Sequence, residues 1–135
     1  MNMNLFLTGG TGFLGTELAS LLVRQPETAL YVLVRAANKE EAIHRLRALW
    51  HHDPALTAAI GQSVHPLCGD FTKPHLGLSP EDLSMLRCIT HVVHAGAEIG
   101  FQNDLEVLQK TNVEGTRNVL SFAAGLPALQ QFIYT

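Results

Sequence analysis

Three glycines three residues apart, Gly9, Gly12 and Gly15, follow the apolar run Leu5-Phe6-Leu7, and Leu14, Leu18, Leu21 and Leu22 overlap and follow the last of them. The run reads as a strand. The leucines fall at i, i+4, i+7 and i+8, one face of a helix. A strand, a turn without side-chain bulk and a helix start together make a place for an anion. The first amides of a helix have no intrahelical acceptor, and the helix dipole favours negative charge beside them. Gly9 suits the tight turn, Gly12 leaves room for a phosphate against the backbone, and Gly15 lets the helix lie close on the strand. The spacing is Gly9-x-x-Gly12-x-x-Gly15, not the usual G-x-G-x-x-G. A Walker-type loop would continue with Lys and then Ser or Thr; Thr16-Glu17 stands there, which argues against nucleoside triphosphate hydrolysis. A plain structural turn is the competing reading of the glycines alone, and the rest of the chain decides between the two.

The elements that must position this loop follow in order. Ala29 to Val34 is a continuous apolar, β-rich run, which suits a parallel strand buried on both faces, and it ends in Arg35. Asn38 with Glu41 has capping-box spacing, and Ile43, Leu46 and Trp50 mark the buried face of the helix they open. His51-His52-Asp53-Pro54 ends or interrupts that helix. Val64 to Cys68 reads as a third strand, which its internal Pro66 places at an edge. Gly69-Asp70 follows. Ser79-Pro80-Glu81-Asp82 is a helix start. Ile89 to Ala95 is a fourth strand. Asn103 and Glu106 repeat the capping-box spacing, and the helix they open runs to about Ala124, before Gly125 and Pro127. Phe132-Ile133-Tyr134 begins a fifth strand. Strands alternating with helices predict an α/β fold: one Rossmann-type, doubly wound parallel sheet over residues 1–135, order 3-2-1-4-5, with its ligand crevice at the carboxyl ends of strands one and four.

Bulk properties narrow the function. The 135 residues are 47% hydrophobic, enough for a real core and too apolar for disorder. Net charge is −3 with no basic block, so nucleic-acid binding has no electrostatic footprint. No apolar stretch reaches about 18 residues, and no leader pattern opens the chain. Cys68 and Cys88 lack metal-type spacing and read as reduced, buried thiols, which fits a cytoplasmic location. The seven histidines show no ligand spacing.

Five separated signals stand in order: Thr8-Gly9-Gly10-Thr11-Gly12-Phe13-Leu14-Gly15, Arg35, Gly69-Asp70, His94-Ala95-Gly96-Ala97 and Asn112-Val113-Glu114-Gly115-Thr116. Together they resemble the extended short-chain dehydrogenase/reductase superfamily. Leu33-Val34-Arg35-Ala36, Glu40-Glu41-Ala42 with Arg45-Leu46, Gly69-Asp70-Phe71 and Leu76-Gly77-Leu78 resemble its thioester reductase and fatty acyl-CoA reductase branch, the male-sterility type of NAD-binding domain. The resemblance implies a nicotinamide dinucleotide held by Gly9, Thr11, Gly12, Phe13, Leu14, Gly15, Arg35, Asp70, Phe71, Ala95, Gly96, Ala97 and Asn112. In it Asp70 meets the adenine with Phe71 beside it, Ala95, Gly96 and Ala97 line the cofactor's floor, and Asn112 holds the backbone between strands four and five. The family pattern often has Ala where Gly96 stands.

Each residue keeps a structural alternative. Arg35 is either a solvated strand-end charge or the partner of a 2′-phosphate. An acidic residue there would favour NAD, Arg suits NADP, and no Asp or Glu occurs between Ala29 and Lys39. Asp70 could cap a turn, and Asn112 could be a helix-surface amide. His94 reads as a hydrogen-bonded core residue. Gly115, costly inside a helix, reads as a close-packing site.

Hydride-transfer enzymes of this superfamily use Ser/Thr with Tyr-x-x-x-Lys, the Tyr as acid or base. Here Tyr31 is followed by Arg35, and Tyr134 is penultimate, so that arrangement is absent and no residue is assigned a catalytic role. The expectation is the N-terminal, NADP-binding part of a longer reductase, inactive alone, whose parent acts on an acyl thioester carried by CoA or a carrier protein. An NAD-dependent sugar-nucleotide epimerase or dehydratase and a non-catalytic nucleotide sensor stay open. The unpaired edge of strand five invites self-association.

Overall fold

The computed structural model describes residues 2–96 and 104–135. Five strands, β1 (Met3–Thr8), β2 (Thr28–Val34), β3 (Val64–Cys68), β4 (His91–His94) and β5 (Gln131–Tyr134), form one parallel sheet in the order β3-β2-β1-β4-β5. The helices are α1 (Phe13–Leu22), α2 (Lys39–Trp50), α3 (Pro54–Ala59), α4 (Pro80–Met85) and α5 (Leu105–Ala124). Short 3₁₀ turns occupy Pro74–Gly77 and Leu86–Cys88.

Period-two alternation sends neighbouring strand residues to opposite faces, and both faces are covered. Leu5, Leu7, Leu30, Val32, Val34 and Val93 pack with Ala19, Ala42, Leu46, Trp50 and Leu56 on one side. Phe6, Leu33, Leu67 and Val92 pack with Leu76, Leu86, Val119 and Ala123 on the other. This double burial is why β2 is a continuous apolar run. β3, carrying Pro66, is an edge strand, and β5 is the other edge, with Ile133 and Tyr134 exposed.

The helix starts follow their caps. Asn38 accepts from the Glu41 amide, while the Glu41 carboxylate accepts from the Ala37 amide, one residue earlier than a strict capping box. Asp53 accepts from the amides of Ala55 and Leu56, so Asp53-Pro54 both ends α2 and starts α3. Ser79 accepts from the Asp82 amide.

Four expectations change. Asp104 caps α5 through the Glu106 amide; Asn103 lies outside the described residues. β4 is shorter than Ile89–Ala95, because Ile89 closes a 3₁₀ turn as a buried plug and Ala95 begins the loop beyond the strand. On α1 the buried positions are Gly15 and Ala19, with Leu18 and Leu22 partly covered; Leu14 and Leu21 are exposed. Small residues bring this helix too close to the sheet for a full leucine stripe. Cys88 is exposed and Cys68 half-buried, and both are free.

Candidate functional site

A cleft of about 490 Å³ opens at the carboxyl ends of the central strands. It is lined by Thr8, Gly9, Thr11, Gly12, Phe13, Leu14 and Gly15 from the first loop, and by Leu33 and Arg35 at the end of β2. Arg45 of α2, Gly69, Asp70 and Phe71 after β3, and Ala95 and Gly96 after β4 complete it. The fold thus brings together eleven of the thirteen residues singled out from sequence. Ala97 lies outside the described residues. Asn112 is half-buried on α5 and does not line the cleft.

The first loop is fastened from within and open outward. The buried Trp50 Nε1–H donates to the Gly10 carbonyl at 3.0 Å, and the Thr16 hydroxyl donates to the same oxygen at 3.2 Å. Gly9 takes φ +77°, and a Cβ on it would stand 2.6 Å from the Ala95 carbonyl and the Gly96 amide nitrogen. A Cβ on Gly15 would collide with the Gly9 carbonyl. A Cβ on Gly12 would meet only the Gly9 carbonyl, at 3.4 Å. The three glycines therefore serve a turn, an open approach and a close contact. Gly12 is the N-cap of α1 and supplies no side-chain cap, whereas α2, α3, α4 and α5 all have one. Uncapped amides beside an open glycine can receive phosphate oxygens. Phe13, 87% exposed, and Leu14, 52% exposed, add apolar surface at the same helix start.

Two guanidinium groups mark the other end. Arg35 lines the cleft, and Arg45 Nη1 donates to the Arg35 carbonyl, which brings α2 against the strand end. Arg45 was not among the sequence-derived site residues, because an arginine on a polar helix face reads as a solvated charge. Asp70 sits nearby. Burial raises its pKa, but the Thr72 hydroxyl and amide, with the charges of Arg35 and Lys73 nearby, outweigh that and hold the carboxyl's pKa below its ordinary value. Asp70 Oδ1 accepts from the Thr72 hydroxyl at 2.6 Å and the Thr72 amide at 2.9 Å, so the turn-capping role is real, and the residue still faces the cleft. Its amide donates to the Leu76 carbonyl at 2.8 Å. Leu76 reaches that place through a left-handed turn, with φ of 55° at His75, 58° at Leu76 and 61° at Gly77.

Phe71 anchors the floor. Its ring lies in the space that a Cβ on Gly115 would need and meets the His94 ring edge-on at a centroid distance of 5.2 Å. Asn118 Nδ2 donates to its carbonyl at 3.0 Å. Gly115 is thus the close-packing position its placement predicted. His94 is 1% exposed and hydrogen-bonded, and burial pushes its pKa down. The two tyrosines lie outside the cleft lining. Burial first, and the Cys88 thiol second, push the Tyr31 phenol up to about 12, and Tyr134 packs against His94 at 5.6 Å. No cluster of His, Cys, Asp and Glu suited to a metal ion occurs among the described residues, and no described helix is long and apolar enough to cross a membrane.

Comparison with known proteins gives a consistent picture. A family profile described as male sterility protein, of NAD-binding type, matches residues 7–135. A nonribosomal peptide synthetase-like enzyme, fsqF, of Aspergillus fumigatus is 38% identical over 85% of this chain and 8% of its own length. A putative fatty acyl-CoA reductase of Drosophila melanogaster, CG8303, is 35% identical over 97% of this chain and 25% of its own. The reductase domain of a nonribosomal peptide synthetase from Mycobacterium tuberculosis superposes with a TM-score of 0.82 at 30% identity, covering 99% of this chain and 33% of that one. The chain therefore spans a third or less of each of these proteins.

Proposed function

From the premise that this chain belongs to the male sterility protein family, of NAD-binding type, we propose that it is the NADP(H)-binding portion of a reductase acting on an acyl thioester. One observation carries the reading: a single cleft joins the uncapped start of α1 to the guanidinium groups of Arg35 and Arg45. The loop end matches a pyrophosphate, with Thr11, Gly12, Phe13, Leu14 and Gly15 around it. The arginine end matches a 2′-phosphate, for which a planar guanidinium is the better partner. Asp70 and Phe71 would face the adenine. Ala95, Gly96 and Ala97 would form the floor, with Gly9 against it, and Asn112 would steady the backbone between β4 and β5. Bound NADPH supplies the hydride. The chain's own residues bind and orient it: backbone amides take phosphate oxygens, and the apolar Phe13 and Leu14 side chains shield the helix start from water.

The thioester substrate, on CoA or a carrier protein, is inferred from relatives whose names record acyl-CoA reductases and peptide synthetase reductase domains. Arg35 speaks against the epimerase alternative, which uses NAD. A second reading, a nucleotide sensor without catalysis, would share this cleft and differ only in lacking Tyr-x-x-x-Lys in the longer protein as well. A single assay separates them: NADPH oxidation with an acyl-CoA, run on this chain and on a longer protein that carries it. We expect no turnover by the chain alone and acyl-CoA-dependent oxidation by the longer protein. Turnover by the chain alone would mean that catalytic groups lie among residues assigned here to structure. Dinucleotide binding with no oxidation in either protein would favour the sensor.

A further inference from the structure

A row of four hydrogen-bonding groups runs beneath the cleft floor. The Gly96 amide donates to Thr8 Oγ1 at 3.0 Å, and Thr8 Oγ1 lies 2.6 Å from His94 Nδ1. His94 Nε2 lies 3.3 Å from Thr116 Oγ1 on α5. Thr8 is fully buried and His94 is 1% exposed, so neither can turn to water. Thr8 has one hydroxyl hydrogen, and His94 Nδ1 is its acceptor among the described residues. The tautomer with Nδ1 unprotonated and the ring hydrogen on Nε2 gives every hydrogen of the row an acceptor, Thr8 donating to Nδ1 and Nε2–H facing Thr116 Oγ1. The backbone of His94 reaches the other way: its carbonyl accepts from the Thr135 amide at 3.2 Å and the Thr135 hydroxyl at 3.4 Å. Gly96, at the far end of the row, has its amide nitrogen 2.6 Å from where a Cβ on Gly9 would stand, and the Gly9 carbonyl accepts from the Gly12 amide at 3.0 Å.

We propose that His94 is a positioning residue for the dinucleotide: its neutral Nδ1 orients the Thr8 hydroxyl, which holds the Gly96 amide and so sets the floor against which Gly9 and the phosphate loop rest. The proposal rests on the reading of the cleft as a dinucleotide site. His94 does not itself line that cleft; it acts through Thr8 and Gly96. The ring is surrounded by Thr8 of β1, Phe71 after β3, Thr116 of α5 and Tyr134 of β5, with no charged side chain among these neighbours. No carboxylate among these described neighbours would favour an imidazolium, and that keeps the acceptor available.

Two isosteric variants separate the ring's two nitrogens. In His94→Asn the amide oxygen can take the place of Nδ1 and accept from Thr8. In His94→Gln the amide reaches the place of Nε2 and leaves Thr8 without its acceptor. The measurements are NADPH affinity by calorimetry and hydrogen exchange of the Gly96 amide in the ligand-free protein. We expect H94Q to weaken NADPH binding by about tenfold or more and to speed Gly96 exchange, because a buried hydroxyl loses its partner. We expect H94N to recover affinity to within roughly threefold of the parental chain and to restore Gly96 protection. Equal losses in H94N and H94Q would reduce His94 to a packing residue and overturn the proposal, as would an H94Q variant that binds like the parent. A parental chain that binds no dinucleotide would overturn the reading of the cleft itself; in that case Gly96 exchange, which needs no ligand, still reports whether His94 holds the floor.

Discussion

The five α-helices of the described residues begin in two ways. α2, α3, α4 and α5 each start on a side chain, Asn38, Asp53, Ser79 and Asp104, that accepts from their first amides. α1 starts on Gly12 with no side-chain acceptor, no acid in its first turn, and two exposed apolar residues. Capping stabilises a helix by about 1 kcal/mol, and the chain forgoes it at the one start that faces the cleft. The difference teaches that α1 is held by other means: Trp50 and Thr16 on the Gly10 carbonyl, and Gly15 against the Gly9 carbonyl. The amides left over are those that the proposed function assigns to the phosphates.

Substitutions can break this contrast. The largest effect is expected at the loop. Gly12→Val places a branched side chain where a phosphate would lie but meets almost nothing of the protein, so NADPH affinity should fall roughly 100-fold or more with an unchanged melting temperature. Gly15→Ala should lose both affinity and stability, because its Cβ collides with the Gly9 carbonyl. Calorimetry and thermal melts on the pair would show whether approach and close contact are separate functions of the two glycines. Next comes Arg35→Asp, expected to weaken NADPH by about tenfold to 100-fold through loss of a charge-assisted contact, with NADH spared. Competition titrations with both cofactors read this directly. Asn38→Ala removes a true cap and should cost about 1 kcal/mol of stability while leaving NADPH affinity within about twofold. If it weakened binding as Gly12→Val does, the two kinds of helix start would not differ in purpose.

The smallest effect expected is on pH. Burial lowers the pKa of His94, and burial together with Lys39 lowers that of His65. The unfolded chain takes up these protons at about 6.5, before the folded chain does. Stability should be flat above pH 6.5 and decline as pH falls below it. Asp70 and Asp53, whose pKa values are lowered in the fold, add a further loss only below about pH 4. Melting temperatures between pH 8 and 5 would check the histidine part, and H94N should flatten some of the slope.

Legibility in the sequence followed distance along the chain. β2 was readable because burial on both faces leaves an unbroken apolar run, and the end of α5 because Gly125 and Pro127 stand there. The crevice followed from strand order, which the alternation of elements implied. Contacts between distant segments were not readable. Trp50 was recognisable as core, but nothing marked its bond to Gly10, forty residues away. Arg45 looked like any helix-surface cation until the fold brought it to Arg35. The α1 stripe was misread at Leu14 and Leu21 because helical periodicity reports which residues share a face, not how closely that face approaches the sheet.

The central claim is that the cleft between the α1 start and Arg35 takes NADP(H). Titrating the unmodified chain with NADPH and with NADH under identical salt tests it most directly. The account predicts saturable one-to-one binding of NADPH, tighter than NADH by about tenfold or more, since one 2′-phosphate contact to arginine is worth about that much. Equal affinities, or tighter binding of NADH, would contradict it.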